Sequence, residues 1–196
     1  RNGVAEVDLA GLVAYVASLR IARFHTSNEF SDWDTALHTF TFANAIHQGL
    51  RRVNSEGLLR GVFDAVISVY LDRFLNIPAV PLPEPKEKVS NPDDLLNQLE
   101  SLLNEQQRVN QAGQLVAQYL YSDGDPNRLM ATLGRLLLRE DRNFHTVQCV
   151  EASFQQYMLL KGTPYANHVL IACARYLAAH APTMRSQGQT YSIARR

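Results

Sequence analysis

His38-Thr-Phe-Thr-Phe-Ala-Asn-Ala-Ile-His-Gln48 and His145-Thr-Val-Gln-Cys-Val-Glu-Ala-Ser-Phe-Gln155 decide the reading of this chain. Apolar residues recur in both at helical spacing, and neither alternates as a strand would. A slide of 107 residues superposes them without a gap: His38-Thr39 falls on His145-Thr146, Ala45 on Ala152 and Gln48 on Gln155. At 100° per residue His38, Thr41, Asn44 and Gln48 stand at about 0°, 300°, 240° and 280°. His145, Gln148, Glu151 and Gln155 take the same angles. Each helix therefore carries a band of neutral hydrogen-bonding side chains where a solvated face would carry Lys, Arg and Glu. Such a band suits a buried polar network or a ligand pocket. A solvated face remains the plainer alternative. His47 lies nine residues from His38, about half a turn round the helix, so one metal cannot be held by both.

Working outward, the repeat extends to neighbouring helices. Gly57-Leu58 and Ala65 fall on Pro164-Tyr165 and Ala172 at the same slide. At a slide of 117 Leu12, Ala14 and Leu19 fall on Leu129, Ala131 and Leu136. The ten-residue difference is a polar insertion, His25 to Asp34. The pattern predicts helices over 4–24, 34–52, 55–75, 92–121, 126–140, 143–161 and 164–182. Ser31 or Asp32 caps the second, and Asp125-Pro126 and Asn91-Pro92 pair a capping residue with a proline at the first helical position. Four prolines between Ile77 and Pro85 make a stiff extended linker. The fold class read here is all-α: a bundle of about seven helices built from two related helix trios. Residues 1–76 hold the first trio, 77–121 the linker and a bridging helix, and 122–196 the second trio with a polar tail, all in one compact domain.

Composition narrows the partners. The 196 residues carry 19 Lys+Arg against 19 Asp+Glu. Residues 1–98 hold 9 basic and 12 acidic side chains, and residues 99–196 hold 10 and 7, so the zero is a cancellation of −3 and +3. No phosphate-neutralising face follows, which excludes a nucleic-acid binder of that kind. Nothing approaches a membrane-spanning run. Charged residues make up only 19%, less than a soluble surface usually carries, so part of the surface is expected to be covered by a partner. Cys149 and Cys173 read as buried free thiols, which suits a reducing cytoplasm. The ends suggest a piece of a longer chain.

The densest ligand-competent segment is His25, Glu29, Asp34 and His38, with Asp32 among them. Histidine and carboxylate suit iron or another transition metal, and His25 and Glu29 would share a face if helical. Dipole-facing carboxylates around a helix start explain the same residues. HExxH, GxGxxG, a P-loop and a nucleophile elbow are all absent from the sequence.

The segment His145 to Gln155, followed by Pro164-Tyr165 and Ile171-Ala-Cys-Ala-Arg-Tyr-Leu-Ala178, resembles the questin oxidase-like helical proteins. His38 to Ala45 and Gly61-Val-Phe-Asp-Ala-Val66 resemble them likewise. The resemblance implies Baeyer–Villiger-type oxidation of an aromatic, polyketide-like organic substrate, and it implies His38, His145 and Glu151 as catalytic positions. The chain also looks like the helical region that follows a Rieske-type iron–sulfur segment in some bacterial proteins, although no Rieske ligands occur in it. The functional expectation is an oxidoreductase-like domain with a His/Glu-lined polar pocket. The alternative is a non-catalytic helical module that docks a redox protein or a sibling subunit.

Overall fold

The computed structural model describes residues 3–75, 78–85, 87–141 and 143–185. Among them the chain forms eight α-helices and no strand. They are α1 (Glu6–Ala22), α2 (Phe30–Leu50), α3 (Glu56–Leu71), α4 (Asp93–Leu102), α5 (Val109–Tyr121), α6 (Pro126–Arg139), α7 (Phe144–Leu160) and α8 (Ala166–His180). A short 3₁₀ turn, Asp72–Leu75, extends α3. Most of the tail read as polar lies outside the described residues.

Local chemistry explains several boundaries. Asp125 accepts a hydrogen bond from the Asn127 N–H and Pro126 opens α6. Asn143 and Thr146 form a reciprocal capping box at the start of α7. Two boundaries differ from the sequence reading. Helix α2 begins at Phe30, not Asp34: Glu29 is the N-cap, and its N–H donates to the Asp32 carboxylate at 3.0 Å. Half of the supposed insertion is therefore helix. The run expected to be one helix to Tyr121 is two, α4 and α5, separated by a break in which Gln107 takes a left-handed φ of 60°. Leu103 and Val109 are both buried on either side of it. Helix α4 also starts with Pro92 already helical and without a side-chain cap.

One apolar core runs through the bundle, from Ala14, Ala17 and Ile21 of α1 through Leu37 and Phe40 of α2 to Leu133 and Leu136 of α6 and most of α8. Helix α8 is its axis: Val169 to Ala178 is buried without interruption, as expected of a helix apolar all round. It packs against α1, α5 and α7. Cys149 and Cys173 are buried free thiols, and burial pushes the Cys149 thiol well up. Arg20 ties α1 to the end of α3 by donating to the Val69 and Asp72 carbonyls, and Thr39 of α2 donates to the Asp72 carboxylate at 2.6 Å. Arg175, only 1% exposed, donates to the Phe24 carbonyl beyond α1 and to Asn110 of α5.

Helices α2 and α7 run side by side in the same direction. His38 meets His145 at one end, and Asn44 meets Gln155 and Gln156 further along. Helix α1 crosses onto α8, whereas α6 makes no comparable packing against α3.

Candidate functional site

Two polar centres lie along the α2–α7 seam. The first gathers some of the residues singled out in the sequence. Asp34 is its hub: its carboxylate accepts from the Tyr176 hydroxyl at 2.6 Å and stands 3.3 Å from His180 Nε2 and 3.8 Å from His145 Nδ1. The rings of His38 and His145 meet edge to face, centroids 4.9 Å apart. His180 Nδ1 lies 2.8 Å from the Tyr176 carbonyl, so that nitrogen carries the proton. Burial draws the His180 imidazole below its usual pKa, against the opposing pull of the Tyr176 carbonyl and Asp34. Burial, then the bond to Asp34, raises the Tyr176 phenol far above its ordinary range.

The other expected positions do not join this centre. His25 sits in the α1–α2 turn with Nδ1 against the Ser27 hydroxyl and N–H. Glu29 is exposed and caps α2. Glu151 is exposed on α7, where it accepts from Gln155; six residues separate it from His145, about 9 Å along the helix. Thus His38 and His145 come together and Glu151 does not. Of the four expected metal ligands only Asp34 and His38 share a neighbourhood. Among the described residues no group of three or more His, Cys, Asp or Glu side chains is disposed to hold a metal ion.

The second centre surrounds His47, which the sequence reading set aside. A cleft of about 730 Å³ opens between α1, the C-terminal ends of α2 and α7, and the start of α8. Leu12, Leu50, Leu159 and Tyr165 give it apolar walls, and Asp8 and Arg51 stand at its polar side. His47 forms part of the wall and is buried. It fits because α1 has glycine opposite: a Cβ on Gly11 would come within 3.0 Å of the imidazole Cε1 and 3.2 Å of Nε2.

A buried amide chain fixes this imidazole. Gln156, with no exposure at all, donates to the Asn44 side-chain oxygen at 2.8 Å and approaches His47 Nδ1 at 3.0 Å. The Gln156 oxygen also stands 3.3 Å from Nδ1, so the imidazole meets both ends of the amide; where the amide nitrogen donates, Nδ1 accepts and the neutral ring carries its proton on Nε2. Burial lowers the pKa of His47; nearby Arg51 adds to this, and Asp8 and the Gln156 oxygen, which accepts from the protonated ring, oppose it. One helical turn beyond Gly11, Tyr15 also lines the cleft, and its hydroxyl lies 2.9 Å from His168 Nδ1. Burial, reinforced by Tyr165, raises the Tyr15 phenol, and burial lowers His168. Both groups are thus neutral near pH 7, with the phenol donating to the imidazole.

No protein-family model matches the chain, and no curated protein or solved structure matches it significantly. The function is therefore argued from these side chains.

Proposed function

We propose that this chain is a helical domain that binds a flat, largely apolar organic molecule in the cleft between α1, α2, α7 and α8 and acts on an oxygen of that molecule by hydrogen bonding and proton transfer. The observation that carries the reading is His47: a buried imidazole on the wall of a cleft of ligand size, with Nδ1 engaged by the Gln156 amide, which in our reading leaves Nε2–H as the group to offer. Apolar clefts of this volume with a few convergent polar groups and shifted pKa values are the usual form of small-molecule sites. A neutral imidazole donor polarises a carbonyl without becoming a charge in a low-dielectric site. The Tyr15–His168 pair offers a second hydroxyl whose proton has an acceptor ready behind it.

This moves the chemistry from His38, His145 and Glu151 to His47 and Tyr15, while keeping the aromatic organic ligand that the resemblance implies. We read α1–α3 and α6–α8 as two related trios meeting along α2 and α7, with the Asp34 cluster as the network that fixes their register. Oxygen or electron chemistry of an oxidoreductase belongs to a co-reactant and is no part of this proposal. The transition-metal reading of His25, Glu29, Asp34 and His38 is set aside, because these four side chains do not form a ligand set.

Equilibrium dialysis with 2-acetylnaphthalene, and with 2-ethylnaphthalene as the isostere lacking the acceptor oxygen, tests the reading. One hydrogen bond of about 1 kcal/mol predicts roughly 5-fold tighter binding of the ketone. His47→Phe should erase that preference. Leu12→Trp, at a side chain 58% exposed on the cleft wall, should weaken both ligands without disturbing the core. Absence of binding at millimolar protein, or a ketone preference that survives His47→Phe, contradicts it.

A further inference from the structure

The outer face of α3 is apolar and uncovered. Phe63, Val66, Ile67, Tyr70, Leu71 and Phe74 are 43–66% exposed, and at 100° per residue they fall within a stripe about 140° wide. The opposite face is fully used: Gly61 meets Ile46 of α2 closely, and Val62 and Ala65 are buried. Arg60 shares its arc and Asp64 flanks it near the start of α3, but from Ala65 to Leu71 the helix carries no charged side chain. At its C-terminal end the Arg73 guanidinium lies over the Tyr70 and Phe74 rings, 3.7 and 3.9 Å from their centroids, a cation–π contact.

We infer that this stripe is the interface of a homodimer, two copies of α3 packing antiparallel about a twofold axis near Ile67 and Tyr70. Monomeric proteins rarely leave apolar patches beyond a few hundred Å² uncovered. Taking each side chain at no more than the roughly 200 Å² of an aromatic, the exposed parts of these six amount to at most roughly 600 Å² per chain. A pair would hide up to about 1,200 Å², the lower edge of what stable specific interfaces bury. A continuous stripe on one helix is self-complementary, as an isologous contact requires. The formal net charge of zero sets up no repulsion between copies. A membrane surface would instead call for a basic fringe, and the polar flank of α3 offers Arg60 beside Asp64. The interface also accounts for the low charged fraction of the chain, and it stands independently of the cleft.

Sedimentation velocity from 1 to 200 µM tests it. The wild type should pass from monomer to dimer within that range. Ile67→Glu and Tyr70→Glu, at outward-facing positions, should hold the chain monomeric at 200 µM with an unchanged circular dichroism spectrum and melting temperature. Both native cysteines are buried, so Ile67→Cys gives a clean second readout: mild oxidation should yield a disulfide-linked dimer, and Val53→Cys, exposed away from the stripe, should not. A wild type that stays monomeric at 200 µM overturns the inference, whether or not it binds phosphatidylcholine vesicles. So does a dimer that survives both glutamate substitutions.

Discussion

Gln156→Leu removes the amide that orients His47 while nearly conserving its volume. Two bonds are lost, to Asn44 at 2.8 Å and to His47 at 3.0 Å. At about 1 kcal/mol each, with a further 1–3 kcal/mol for the polar atoms left buried and unpaired, the loss is about 3–5 kcal/mol. Two added apolar groups at about 0.8 kcal/mol apiece offset part of it. The net expectation is a destabilisation of about 2–3 kcal/mol, read by urea unfolding at pH 8. The companion substitution Asn44→Leu supplies a control, since it removes the other partner. If the chain is one network, the double variant should cost at least about 1 kcal/mol less than the sum of the singles, because replacing both partners by apolar groups leaves fewer orphans. Gln156→Glu should do the opposite to the imidazole. A carboxylate beside Nδ1 favours the cation, so His47, which now titrates below its usual range, should titrate above it. A single-variant cost under about 0.5 kcal/mol, or strict additivity of the pair, would refute the reasoning.

Three other outcomes follow from the same structure. Arg175, whose pKa burial lowers to about 10, pays a desolvation penalty of about 3 kcal/mol, so Arg175→Met should cost less than Arg175→Ala in thermal unfolding, the latter adding a cavity. Gly124→Ala should destabilise strongly, because its Cβ would sit 2.5 Å from the rigid Tyr119 ring; a melting temperature within a degree of wild type would contradict this. His47, His168 and His180 all have lowered folded pKa values. The unfolded chain therefore binds more protons just below pH 6.5, so stability should be full above that pH and decline as pH falls through it, by urea titration between pH 8 and 5.

How much was legible in the sequence differs by element. Asp125-Pro126 and Asn143 announced their helices because caps are local chemistry. The α4–α5 break was missed because residues 103–108 contain neither Gly nor Pro. A signal was present in phase: the buried positions swing about 100° round the helix between Leu95–Leu103 and Val109–Tyr119, more than one straight helix can bury on one side. His38 and His145 were found through the 107-residue repeat and Asp34 through the polar insertion, and the structure does bring them together. His180 and Tyr176 joined them unforeseen, since only tertiary packing lays the end of α8 against the start of α2. His47 was discounted for lying opposite His38. Its significance depends on Gly11, 36 residues earlier on another helix, and no pattern within α2 could reveal that pairing.

The central claim is that His47 offers a neutral Nε2–H to an oxygen in the cleft, and long-range ¹H–¹⁵N spectroscopy of the six histidines reads this directly. At pH 7 His47 should show the Nε2–H tautomer, and 2-acetylnaphthalene should shift its Nε2 and Hε2 resonances while leaving His38 and His145 unmoved. A cationic or Nδ1–H His47, or ligand shifts confined to His38 and His145, would contradict it.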